Sequence, residues 1–112
     1  MIPSQDELRQ LHANICAGIA DPTRIAILYT LREGLTNVSD LTEQLGLPQS
    51  TVSRHLAVLR TTNLVRAERQ GQNIYYQLTD TRVIEALDLM REVLHARVTH
   101  HANTLGASNQ EE

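Results

Sequence analysis

Two sets of side chains in this sequence are suited to chemistry. The first is Gln49, Ser50, Ser53 and Arg54, gathered in one short stretch. Each can hydrogen-bond a planar polar edge. Glutamine pairs two-fold with adenine, arginine two-fold with guanine, and serine with donors or acceptors alike, so the set suits base edges in a DNA groove. Thr51 and His55 suit phosphate contacts or the steadying of their own segment, and Arg60 suits a phosphate. The second set is His12, Cys16, His95, His100 and His101. Imidazoles with one thiolate would suit zinc, nickel or cobalt. His12 and Cys16 are four apart and share a helix face, whereas the adjacent His100 and His101 point about 100° apart and do not naturally chelate as a pair. The competing reading makes Cys16 a small buried hydrophobe and the histidines helix-surface residues. It is preferred here, so no metal or cofactor is assigned. No Ser/His/Asp, paired-carboxylate or phosphate-loop pattern is recognisable, and the polar set would lie on a convex helix face, not in a pocket. An enzyme is therefore not expected.

These groups need elements to hold them. Residues 4–19 form a first helix, with Ser4 and Glu7 spaced as a capping box and Leu8, Leu11, Ile15 and Ile19 on one face; Gly18 loosens its end. Asp21 caps a second helix with Pro22 at its first position, carrying Ile25, Leu28 and Leu31 and stopping at Gly34. A short third helix starts near Ser39, buries Leu41 and Leu45, and ends at Gly46. Leu47-Pro48 makes the turn into a fourth helix, about 49–61, which buries Val52, Leu56 and Leu59 and turns the polar set outward. Two short helices about a tight turn, the second polar outside, make a helix-turn-helix. Strands at 64–70 and 73–79 follow, joined through Gly71, with Val65, Ala67, Ile74, Tyr76 and Leu78 at alternate positions. Tyr75 and Tyr76 are expected to pack the hairpin. This is a wing, and an isolated hairpin is marginal, so it must lie on the helices. Arg69 and Gln72 flank its tip, within reach of a neighbouring minor groove.

A last helix is capped by Asp80 and runs to about Leu105. Val83, Leu87, Met90, Leu94 and Val98 form one stripe, which Leu89 and Val93 extend. At about 1.5 Å per residue the helix is roughly 38 Å long, against a radius of gyration of about 13 Å for a domain of this size. It would overhang, and a second copy of the chain is the simplest cover for its stripe. The expected dimer is two-fold and uses the terminal helices through Leu8, Leu11, Ile15, Leu87, Met90, Leu94 and Val98. The fold expected is mainly α with a small β-hairpin: a winged helix-turn-helix of about five helices and a two-stranded wing over residues 1–105. A disordered acidic tail over 106–112 follows.

Bulk properties agree. The 112 residues suit one domain, and 41% are hydrophobic with no Phe or Trp, so the core must be aliphatic. No apolar run is long enough for a membrane span. With one cysteine and no signal-peptide pattern, the expected location is cytoplasmic. The net charge of −3 hides an asymmetry. Residues 48–79 hold four arginines against Glu68 alone, a net +3, while the remainder holds six arginines against twelve carboxylates, a net −6. A basic segment on an acidic body suggests a DNA-facing surface, as against chance clustering of four arginines.

Residues 45–60, LGLPQSTVSRHLAVLR, resemble the recognition segment of the ArsR/SmtB family of winged-helix repressors. Residues 20–24, ADPTR, resemble the family's early-helix signature, and residues 71–78, GQNIYYQL, its wing. The likeness covers residues 15 to about 98. Pro48 departs from it, standing where the family often has a capping serine, a role that Gln49 or Ser50 would have to take. The resemblance implies a homodimeric repressor on an imperfect palindrome of double-stranded DNA near its own promoter, released by an inducer. Many members sense metal ions, others sulfur species or oxidants, and some have no known small ligand. The family's cysteine-pair metal site falls on Asn37 and Ser39, neither a soft ligand. Its second site keeps Asp80 but has Arg82, Val93 and Ala96 at the other positions, and one ligand of four cannot hold zinc. Cys16 alone cannot form a disulfide within one chain. The effector is thus left unidentified. A winged-helix protein–protein adaptor is the alternative reading.

Overall fold

The computed structural model describes residues 1–111, with side chains to residue 98. Two compact units follow one another, Met1–Thr81 and Arg82–Glu112. In the first, α1 starts as Gln5–Leu11, passes through a π-helical segment His12–Cys16, and closes as Ala17–Ile19. Ser4 caps it, its hydroxyl accepting from the Glu7 amide at 3.2 Å. Helix α2, Pro22–Leu31, has Pro22 in its first turn and Asp21 as N-cap, the carboxylate accepting from the amides of Thr23 and Arg24. The chain then turns at Gly34, whose φ of 126° only glycine adopts freely.

Strand β1, Thr36–Asn37, leads straight into α3, Val38–Leu45. Asn37 serves both, pairing with Tyr75 across the sheet and accepting the Asp40 amide at 2.8 Å as the N-cap of α3. Gly46 ends α3 in the left-handed conformation. Helix α4 is Gln49–Thr61. Beyond it Asn63, with φ 60°, swings the chain into β2, Val65–Gln70, which pairs with β3, Asn73–Leu78. Sheet order is β1-β3-β2, all antiparallel, with Val65 opposite Leu78 and Gln70 opposite Asn73. The wing is therefore the larger part of a three-stranded sheet, where a two-stranded hairpin was expected. Thr79 closes its base, donating from its hydroxyl to the Asn63 carbonyl at 2.8 Å.

The core of this unit is aliphatic apart from Tyr76: Ile27, Leu28 and Leu31 of α2, Leu41 of α3, Val52, Leu56 and Leu59 of α4, then Leu64, Val65 and Leu78. Ile25 and Leu45 are only half-buried, and Ile27 takes the core position expected of Ile25. Ile74 is exposed, because only the base half of the hairpin is covered and its tip stands clear. Gly18 does not loosen α1. A Cβ there would stand 2.5 Å from Leu64 Cδ1 and 2.7 Å from Thr62 Oγ1, so glycine is what permits close approach to the end of α4.

The second unit is α5, Arg82–Glu111. It begins two residues past Asp80 and continues helical beyond the expected end near Leu105. The expected tail, 106–112, falls outside the described side chains. Ile84 and Leu87 are buried, while Leu89, Met90, Val93, Leu94 and Val98 are exposed. Leu87, expected with the rest of the stripe to meet a partner, is 5% exposed within the single chain. Among the described residues no helix is long and apolar enough to cross a membrane.

Candidate nucleic-acid interface

Helix α4 is fastened by one side and bare on the other. Val52, Leu56 and Leu59 are buried at 0–1% exposure. Gln49, Ser50, Ser53, Arg54 and Arg60 are all exposed, and Thr51 is half-buried at the margin. At helical spacing, Ser50, Ser53, Arg54 and Ala57 form one continuous strip, with Arg60 and Thr61 beyond. Pro48 occupies the N-cap position and no side chain caps the helix. Neither Gln49 nor Ser50 takes over as cap: the first residue inside cannot fold back on its own amide, and both side chains point to solvent. The Thr51 amide donates to the Pro48 carbonyl at 3.1 Å, which leaves the Gln49 and Ser50 amides for water or a phosphate oxygen. On the wing, Arg69, Gln70 and Gln72 are exposed around Gly71, whose φ is 66°. Arg66 is engaged within the sheet: with the Gln77 amide oriented oxygen-inward, that oxygen accepts from Arg66 Nε at 2.7 Å and Nη2 at 3.2 Å.

His55 is the residue the structure moves. It sits on the recognition stretch but is buried, with Nδ1 3.3 Å from Arg24 Nη1 and 3.9 Å from Asp21 Oδ1. Of its two expected roles, phosphate contact or steadying the helix, its burial fits the second. Arg24 also donates from Nε to the Gly18 carbonyl at 2.7 Å and from Nη2 to the Ala17 carbonyl at 3.1 Å. Burial tends to raise the Asp21 carboxyl's pKa. The amide bonds from Arg24 and Thr23, the His55 ring when it carries a second proton, and the Arg24 cation outweigh it, holding the group below the ordinary carboxylate range. The ADPTR signature is therefore a clasp between the end of α1, the start of α2 and the middle of α4. Sequence reasoning took Asp21 as a cap only and gave Arg24 no role. An arginine three residues behind a capping aspartate is weak as a signal, because its partners lie elsewhere in the chain.

The metal-ligating set fares differently. His12 and His95 are exposed, and Cys16 is exposed where the preferred reading buried it. His100 and His101 lie outside the described side chains. Among the described residues no group of three or more His, Cys, Asp or Glu is placed to hold a metal ion. The family's thiolate position at Asn37 is committed to capping α3, so the donors present do not fit a soft metal there.

A family model described as bacterial regulatory protein, arsR family, matches residues 21–67. The HTH-type transcriptional regulator NmtR of Mycobacterium tuberculosis is 41% identical over 88 residues, 79% of this chain and 72% of NmtR. The chain belongs to the ArsR family. The biofilm growth-associated repressor of Xylella fastidiosa is 31% identical over 76% of this ArsR-family chain and 75% of its own length. Among solved structures, the homodimeric winged helix-turn-helix DNA-binding domain Mb0332 from Mycobacterium bovis superposes with a TM-score of 0.73. It is 27% identical over 88% of this chain and 93% of that one. The ArsR-family chain is accordingly a DNA-binding transcriptional repressor and not an enzyme.

Proposed function

We propose that two copies of this chain grip an imperfect palindrome in double-stranded DNA near its own promoter. Gln49, Ser50, Ser53 and Arg54 would read base edges in the major groove, and Thr51 and Arg60 would hold phosphates. Arg69 and Gln72 would reach the adjacent minor groove from the wing. The observation that carries this is the division of α4: its inner side is packed, while its outer side is polar apart from Ala57 and uncapped by any side chain at the leading end. Such a face lowers helix propensity and hides no apolar surface, so its contribution lies in what it contacts. Dimerisation is supported by α1, which buries no residue from Gln5 through Cys16 and exposes Leu8, Leu11 and Ile15. A repressor of this kind acts in the cytoplasm.

Fluorescence anisotropy with DNA from the gene's upstream region tests the reading. Arg54→Ala and Ser53→Ala should each lose about 1–3 kcal/mol of binding if they contact bases. Arg60→Ala should weaken all sequences alike and lower the salt slope by about 1. Unchanged affinity in all three would favour the protein–protein adaptor instead. Repeating the titration with zinc, nickel or cobalt after chelator asks whether His12, Cys16, His95, His100 and His101 serve as the effector site. Release by metal would assign them, and indifference would leave a metal-independent repressor.

A further inference from the structure

One polar ring lies on the packed side of α4. His55 is 8% exposed among Val52, Leu56 and Leu59, and the group that meets its Nδ1 is the Arg24 guanidinium at 3.3 Å. A guanidinium only donates, so a hydrogen bond there requires a lone pair on Nδ1, that is, the neutral ring with its proton on Nε2. Arg24 is fixed independently by the Gly18 and Ala17 carbonyls at 2.7 and 3.1 Å. The contact therefore ties the recognition helix to the end of α1 with a direction that aliphatic packing does not supply. Among the described residues, the charged groups at the ring are Arg24 of α2 and Asp21, its cap. From α1 only the Ala17 and Gly18 carbonyls take part, and the other charged side chains of α4, Arg54 and Arg60, are exposed.

We propose that Arg24, acting through the neutral ring of His55, is a positioning residue for the recognition helix, and that protonation of His55 unlatches the helix and weakens DNA binding. A proton on Nδ1 sets N–H against N–H and cation beside cation. The nearest acceptor for it is Asp21 Oδ1 at 3.9 Å, and reaching it turns the ring away from Arg24. Histidine is the side chain whose ordinary titration falls between pH 5 and 8. The switch rests on α4 being the DNA reader.

The test is DNA affinity at pH 7.5 and 5.5, at fixed ionic strength, for wild type and His55→Gln. The glutamine amide oxygen can accept from Arg24 and does not titrate. The other histidines are common to both proteins and cancel in the comparison. His55→Gln should bind about as wild type does at pH 7.5, and wild type should lose roughly tenfold more affinity than the variant at pH 5.5. Parallel pH profiles would overturn the latch and leave the DNA reading intact. Wild type tightening in acid relative to the variant would also overturn it, making His55 a phosphate contact. Failure of wild type to bind at either pH would sink the DNA reading and the latch together. Should His55→Gln not fold, long-range nitrogen–proton NMR of the wild-type ring at pH 7.5 decides. An unprotonated Nδ1 supports the latch, and a protonated one overturns it.

Discussion

Asp21 holds the Thr23 amide at 2.8 Å, the Arg24 amide at 3.2 Å and the His55 ring at the edge of ion-pair range. Its carboxyl titrates below the ordinary range, since those partners outweigh the opposing pull of burial. The sign follows from linkage: a carboxylate with a lowered folded-state pKa adds stability that is present above its unfolded value and lost as pH falls through the folded one. Thermal unfolding should therefore show an acid-labile contribution that disappears below about pH 4. Asp21→Asn, which can still cap, should be less stable near neutrality and should flatten that part of the profile. An unaltered acid limb in the variant would mean that other carboxylates carry it. At the same scale, Asn63 adopts φ 60°, a conformation costing a β-branched residue roughly 1–2 kcal/mol. Asn63→Val should lower the denaturation midpoint, while Asn63→Gly should leave it nearly in place.

At the scale of elements, the approach of α1 to the end of α4 depends on the missing side chain at Gly18. A methyl group there meets Leu64 Cδ1 and Thr62 Oγ1, and Thr62 is held by its hydroxyl bonds to the Val58 and Leu59 carbonyls. Gly18→Ala should cost about 1–3 kcal/mol, the usual range for overpacking, read as a shift in urea midpoint. No loss would mean that α1 moves without penalty. Ser4, Asp21 and Gly46 mark ends of α1, α2 and α3 through bonds made within a few residues, and those ends were legible in the sequence for that reason. The exposed strip of α4 was visible through the period of Val52, Leu56 and Leu59. Strand β1 was not, because two residues carry no alternation and their partners, Tyr75 and Tyr76, lie beyond α3, α4 and β2 in sequence. The burial of His55 was hidden likewise: only folding brings Arg24 to it. Leu87 and Leu94 sit on one stripe in sequence, and the packing of the chain is what separates them into a buried residue and an exposed one.

At the scale of the whole molecule, that separation gives opposite consequences for the same kind of substitution. Leu87→Ala should destabilise the protomer by about 2–5 kcal/mol, as loss of a buried leucine does. Leu94→Asp, at a position 56% exposed, should leave helicity unchanged by circular dichroism but shift light scattering toward monomer and weaken operator binding. Retained dimer mass in that variant would remove Leu94 from the interface. The basic segment from Pro48 to Thr79 and the acidic remainder also imply steep loss of DNA affinity with added salt, because phosphate contacts release counterions.

Asn37 bears on how such a regulator could change over time. It ends β1 and caps α3 at once, at a position where relatives of the family type place a thiolate. Replacing it with cysteine removes a cap worth about 0.5–2 kcal/mol before a second thiolate exists at residue 39 to bind anything. A lineage moving from this sequence toward soft-metal sensing would have to cross that unfavourable first step. Drift alone is thus biased toward keeping the helix cap and away from acquiring the ion.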